Sequence, residues 1–259
     1  MNDGRRAGAW IAALVLAGSL AVPASVQAAR SGYLCCNLRV YKDWISDINY
    51  EHAYTRVVPV GSPIRVIGSG RYSLVVRVAG RQRSLGNDYS RSLSEQAFAR
   101  RYIDAEDPRQ LIATYDPFTQ DAIRRMKVMP GMTETQVRMA IGYPVANYTP
   151  RLSARAWQFW LDRSSRFDVV WTAERRVARL AGDGSVLGRV LWYPPRGVVK
   201  DAQAALNQRG FDVGEPDGLA GRRTRAAIAA FQQAEKLPES RMFDADTLGR
   251  LGVAMPARQ

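Results

Sequence analysis

The chain has 259 residues and carries 37 Lys and Arg against 24 Asp and Glu, a formal charge of +13. Its one histidine, His52, and its two adjacent cysteines, Cys35 and Cys36, cannot supply the Cys/His ligand set of a zinc site. Any histidine-based triad would have to rest on His52 alone, so most hydrolase chemistry of that kind is excluded. The charge is unevenly placed. Residues 198–254 hold eight basic and eight acidic groups and sum to zero, whereas residues 30–197 hold 26 basic and 15 acidic groups, a net +11.

Arg5 and Arg6 precede the apolar run 7–22, and Pro23 leads into 24–29, with Val26 and Ala28 as the small residues of a cleavage site. This three-part order is that of a secretory signal, so residues 1–29 are expected to be removed and the protein exported to a bacterial periplasm. No later stretch approaches the ~20 apolar residues of a spanning helix, so no transmembrane segment is expected after signal removal. Cys35 follows Gly32-Tyr33-Leu34 and lies beyond several polar residues, which argues against a lipid anchor. Adjacent cysteines bridge to one another only in a strained ring. Two buried thiols or an intermolecular bridge are therefore expected ahead of a redox pair.

Residues 30–110 read as a β-rich unit with a trailing helix. Val- and Ile-rich runs between 56 and 85 are punctuated by Gly61-Ser62-Pro63, Gly68-Ser69-Gly70 and Ala79-Gly80. That many short antiparallel strands suggest a small barrel or SH3-like unit. Ser92 with Glu95 predicts a capped helix running to about Ile103, and Asp107-Pro108 and Asp116-Pro117 mark loops.

Residues 111–190 predict an α+β unit. A helix near 117–126 is followed by a second, opened by the Thr133/Gln136 capping box and stopped at Gly142. Three strands follow near 154–161, 166–172 and 175–182. Arginines and aromatics interleave over 155–171, a pattern that could stack bases. Strand alternation explains it more simply, since Trp157, Phe159 and Leu161 share one face, as do Phe167, Val169 and Trp171. No nucleic-acid partner is expected.

Residues 191–197 read as a proline- and glycine-bearing linker. Beyond it, residues 198–254 turn helical in period: Val199, Ala202 and Leu206 share a face, then Ala227, Ile228 and Phe231, then Leu248 and Leu251 behind Asp244. Three short helices here make a compact bundle. The fold class expected for the whole is therefore α+β and multidomain.

The last section carries Gln203 and Leu206, Gly210-Phe211, Asp217-Gly218, Gly221 and Thr224, Phe231-Gln232, Leu237-Pro238, then Asp244, Thr247 and Leu248. In this it resembles the peptidoglycan-binding domain (type 1) of bacterial and phage cell-wall proteins. Where that family has a glycine before its third helix, this chain has Arg241 or Met242. A side chain in such a turn costs roughly 1 kcal/mol, so the loop is expected to be rerouted. The resemblance implies a peptidoglycan partner. Ligand contacts are expected from Asp217, Arg222, Arg223, Arg225 and Gln232, because arginines can hold stem carboxylates through bidentate hydrogen bonds.

In the middle section, Met129-Pro130-Gly131-Met132-Thr133, Gln136-Val137 and Ile141-Gly142-Tyr143-Pro144 resemble the BamE (SmpA/OmlA) domain over residues 115–182. That resemblance allows an outer-membrane or periplasmic protein as a further partner. It lacks the lipidated cysteine of the outer-membrane assembly protein.

The binding domain often accompanies wall-cleaving enzymes. Amidases need zinc ligands and L,D-transpeptidases a Cys–His pair, both opposed by the residue inventory. Transglycosylases need a glutamate, and Glu51, Glu95, Glu106, Glu134 and Glu174 are the candidates. None sits in a lysozyme-like helical context. The expectation is a non-catalytic exported envelope protein that binds peptidoglycan and uses no cofactor or metal. The alternatives are a peptidoglycan-active enzyme or an outer-membrane assembly or envelope-integrity factor.

Overall fold

The computed structural model describes residues 31–256. The expected leader, 1–29, lies outside the described residues. Eight helices and eleven strands are present among those described.

The N-terminal unit is built on a six-stranded sheet in the order β3-β7-β6-β5-β1-β8. Its strands are β1 (Ser31–Leu34), β3 (Trp44–Ser46), β5 (Pro63–Gly70), β6 (Ser73–Val78), β7 (Arg81–Gly86) and β8 (Ile103–Asp104). β2 (Leu38–Val40) and β4 (Arg56–Val58) form a separate antiparallel pair. The sheet is not wholly antiparallel as expected, because β3 runs parallel to β7, with Ile45 beside Leu85. Alternation places Ile64, Leu74, Val76, Val78 and Leu85 on one face. Helix α1 (Glu95–Tyr102) covers that face with Phe98 and Tyr102. It starts two residues later than the sequence predicts, because Ser94 rather than Ser92 is the cap and accepts from the Ala97 amide at 3.2 Å.

Cys35 and Cys36 are joined to each other by a disulfide and both are buried. This corrects the expectation of separate thiols or an intermolecular bridge.

Asp107-Pro108 does not mark a loop. Asp107 caps α2 (Pro108–Ala113), with the proline in the first turn where its missing N–H is harmless. Helices α3 (Pro117–Arg124) and α4 (Glu134–Ile141) follow, and both halves of the Thr133/Gln136 capping box form. Gly142 ends α4 at φ 87°. Strands β9 (Ala156–Trp160), β10 (Arg166–Trp171) and β11 (Val177–Gly182) make an antiparallel meander with β10 central. The two aromatic rows predicted from alternation are buried against the helices.

Two asparagines fix the N-terminal unit to α3 and α4. Asn37 Nδ2 donates to Ile123 O at 2.7 Å, and Asn49 Nδ2 donates to Ile141 O at 2.9 Å. Both side chains are buried, so their bonds replace water that neither could retain.

The expected linker is an ordered segment. Helix α5 (Gly184–Val190) precedes it, and Trp192 is buried with its indole N–H donating to Asp121 Oδ2 at 2.9 Å. Its last two residues already belong to α6 (Arg196–Gln208). Helices α7 (Arg222–Ala234) and α8 (Ala245–Leu251) complete a helical unit. Its core of Val199, Ala202, Leu206, Ala227, Ile228, Phe231, Leu248 and Leu251 matches the helical periodicity read from the sequence.

Candidate functional site in the C-terminal helices

Two buried glutamines organise the loops of the helical unit. Gln203, on the inner face of α6, accepts from the Gly218 amide at 2.7 Å. Its amide group donates to Asp217 Oδ1 at 2.9 Å, Leu219 O at 3.1 Å and Thr224 Oγ1 at 3.2 Å. One side chain therefore holds the Asp217-Gly218 turn against the start of α7. Gly218 is required there for two reasons: its φ is +76°, and a Cβ would lie 2.7 Å from Arg196 O.

Gln232 does the same for the loop before α8. It accepts from the Arg241 amide at 3.0 Å and donates to Ser240 Oγ and Thr247 Oγ1, each at 2.8 Å. Its exposure is 0%. This predicted ligand contact is internal, its side chain bonded within the domain.

Arg241 occupies the position of the missing glycine with φ 56°. Its side chain is thus accommodated at positive φ, with the Arg241 amide donating to Gln232 Oε1. The Arg241 guanidinium pairs with Glu239 at 2.8 Å.

These loops enclose a cleft of about 470 Å³. Val199, Gly218 and Phe243 are buried at its base, while Tyr193 and Leu219 stand 42% and 53% exposed at its mouth. Arg196, Arg225 and Arg241 border it. Arg196 Nη2 donates to Asp217 O at 3.3 Å. Among the described residues Arg225 makes no ion pair. An apolar floor bordered by arginines, of which Arg225 is without an ion pair among the described residues, suits a ligand with a carboxylate and short aliphatic groups.

The other predicted residues fall around this cleft. Asp217 is exposed, but its carboxylate is committed to the turn, accepting from Gln203 and from the Leu219 amide at 2.8 Å. The Gln203 hydrogen bond, followed by that amide, holds its pKa below the ordinary carboxylate value. Arg223 pairs with Asp212, and Arg222 is exposed; neither lines the cleft. Of the five, only Arg225 does. Arg196 borders the cleft although its sequence context reads as linker, and Arg241 borders it from the position where the family pattern has a glycine. A cluster of arginines spaced widely along the chain gives no local signal.

Of the glutamates, Glu51 is paired with Arg39 and Arg189, each at 3.1 Å, and Glu134 with Arg175. Glu95 accepts from Ser69 Oγ at 2.7 Å. Glu106 and Glu174 are exposed. No helix among the described residues is long and apolar enough to cross a membrane.

Residues 196–251 match the family described as "Putative peptidoglycan binding domain", which supports peptidoglycan binding by α6 to α8. No curated protein matches the chain. A crystal structure of SltB3 from Pseudomonas aeruginosa in complex with NAG-anhNAM-pentapeptide is 29% identical over 29% of this chain and 19% of that one, with a TM-score of 0.22. The chain thus spans about a fifth of that protein's length.

Proposed function

We propose that this is a non-catalytic, exported cell-envelope protein that holds peptidoglycan in the cleft between α6, α7 and the 240–243 loop. The observation that carries this reading is the cleft itself, lined mostly by the matched segment, with Leu191, Tyr193 and Pro194 just before it, and bordered by Arg196, Arg225 and Arg241. A stem-peptide carboxylate would lie across Arg225 and Arg241. The methyl groups of stem alanines or of the lactyl ether would meet Val199, Leu219 and Phe243. Gln203 and Gln232 act as positioning residues, because each fixes a loop that carries part of the wall.

The export in this reading is supported by the three-part leader pattern of residues 1–29, whose removal would leave a periplasmic protein. The helix-helix-three-strand order of α3, α4 and β9–β11 supports the BamE-like reading of the middle unit as an adaptor for an outer-membrane or periplasmic protein. The N-terminal sheet is the SH3-like unit of that adaptor. The buried Asn37 and Asn49 bonds hold it and the middle unit together.

The test is co-sedimentation of the protein with purified sacculi at about 0.15 M and about 0.5 M salt, where screening lengths shorten toward contact distance. Binding that persists at the higher salt and is lost in Arg225→Glu supports the cleft. Binding that salt abolishes and Arg225→Glu leaves intact would mean that the basic N-terminal part merely attracts an anionic polymer.

A further inference from the structure

We propose that the outer face of the β5-β6-β7 meander docks on an anionic phospholipid surface. Residues 52–87 contain no Asp or Glu. Of their arginines, Arg65 and Arg77 lie on this outer face and Arg71 at the hairpin tip, whereas Arg81 and Arg83 pair with the inward Val78 and Val76, and Arg56 lies on β4. Within that stretch Arg65 lies directly opposite Arg77 in the β5-β6 register, and both are exposed. Like charges facing each other across a ladder are destabilising. Among the described residues neither arginine has an ion-pair partner. The pair therefore costs the fold something that an external anion would return.

The same face is apolar between its charges. Ile67, at a bulge between Val66 and Gly68, is 44% exposed. Ile67 shares a depression of about 630 Å³ with Arg65, Arg77 and Pro63. At the tip of the hairpin, Arg71 and Arg91 lie 5.3 and 4.5 Å from the exposed Tyr72 ring. The carboxylates that border the hairpin are engaged, Glu95 by Ser69 and Asp88 by Trp44 and Ser46. A soluble polyanion would be satisfied by the arginines alone. Exposed Ile67 and Tyr72 among them match a headgroup interface, where aliphatic and aromatic side chains enter the acyl boundary while cations meet phosphates. The opposite face of the sheet is covered by α1, so only one side is available.

This surface lies outside the α6-α7 cleft and belongs to the part of the chain with the net positive charge, so the two binding events are separable. The experiment is flotation of residues 30–259, which contain both hydrophobic cores, with vesicles of phosphatidylcholine alone or with about one quarter phosphatidylglycerol. The protein is expected to float with the anionic vesicles and not the neutral ones. At about 1 kcal/mol per basic residue near a charged surface, Arg65→Gln with Arg77→Gln weakens partition about thirtyfold. Arg65→Lys with Arg77→Lys retains it. Ile67→Ser, which keeps both arginines, weakens vesicle binding and leaves binding to soluble polyphosphate unchanged. The Gln pair removes a repulsion, so its urea midpoint is expected to be no lower than wild type, and its sacculus binding is retained. Unaltered vesicle partition in the Gln pair would overturn the proposal. So would Ile67→Ser binding vesicles as wild type does, which would assign the face to soluble polyanions instead.

Discussion

Gln203 Nε2 and Asp217 Oδ1 are joined at 2.9 Å, a bond between a fully buried amide and an exposed carboxylate fourteen residues on. Through it the inner face of α6 dictates the shape of the turn that forms one wall of the cleft. Asp217 is therefore a structural anion first, held below the ordinary carboxylate pKa of 3.8 chiefly by Gln203. A depressed folded pKa means that its contribution is present above 3.8 and is lost as pH falls through the folded value. Urea unfolding followed by a probe in the bundle is expected to show weakening below that pH, and Asp217→Asn is expected to remove this part of the pH dependence. Identical acid profiles for both proteins would show that the bond contributes nothing.

The glutamine and arginine roles separate cleanly by experiment. Gln232→Ala leaves the Arg241 amide without its acceptor and Thr247 Oγ1 without its amide donor, while Ser240 keeps its bonds to Asp244 and Met242. It is expected to cost about 2–3 kcal/mol of stability. Arg225→Ala removes an exposed, unpaired cation and is expected to change stability by less than about 0.5 kcal/mol. It should nonetheless weaken sacculus binding roughly tenfold, the worth of one charge-assisted hydrogen bond. Arg222→Ala and Arg223→Ala, off the cleft, are expected to bind within about twofold of wild type. Equal losses at all three arginines would point to bulk charge rather than a site.

Arg241 offers a comparison in which backbone and side chain pull apart. At φ 56° a residue with a Cβ is strained, so Arg241→Gly is expected to be about 1 kcal/mol more stable than Arg241→Ala. Both lose the guanidinium and should bind equally weakly. Urea midpoints and sacculus pelleting on the two variants check this. Tighter binding by the glycine variant would mean that loop shape, not charge, governs the ligand.

Much of the bundle was legible because helical periodicity and turn residues are local signals. Val199, Leu206, Ile228 and Phe231 are core as their spacing predicts, and Gly218 sits at the positive φ an Asp-Gly turn suggests. The site was less legible. Gln232 looks like a polar residue on a solvated helix, and only the loop at 240–244 folding back over it makes it internal. Trp192 and Arg196 read as linker because their partners, Asp121 and Asp217, are distant in sequence. Asp107-Pro108 reads equally as loop or as helix start, and the following six residues decide it. In the N-terminal sheet, strands were visible from Val and Ile alternation. The parallel pairing of β3 with β7 was not, because a three-residue edge strand carries too little pattern.

The N-terminal unit carries its own pH signature. Asp47 is buried, and burial pushes its pKa up to about 6 against hydrogen bonds from Ser90 and the Tyr89 and Asp88 amides. A raised carboxylate pKa means that the folded state binds the extra proton between about pH 4 and 6, so this term weakens the fold as pH rises through that window. From pH 5 to pH 7 the loss is about 1 kcal/mol. Asp47→Asn, which can keep an acceptor toward the amides, is expected to lack it. The wild-type minus variant difference in unfolding free energy at the two pH values measures the term, and parallel behaviour would contradict it.

The most direct measurement is calorimetric titration of the protein with a soluble disaccharide-peptide fragment of peptidoglycan, in two forms that differ only in whether the stem carboxylates are free or amidated. If the cleft holds a carboxylate between Arg225 and Arg241, the free form binds and amidation weakens it at least about tenfold. Equal affinity for both forms, or no binding of either, would contradict that account.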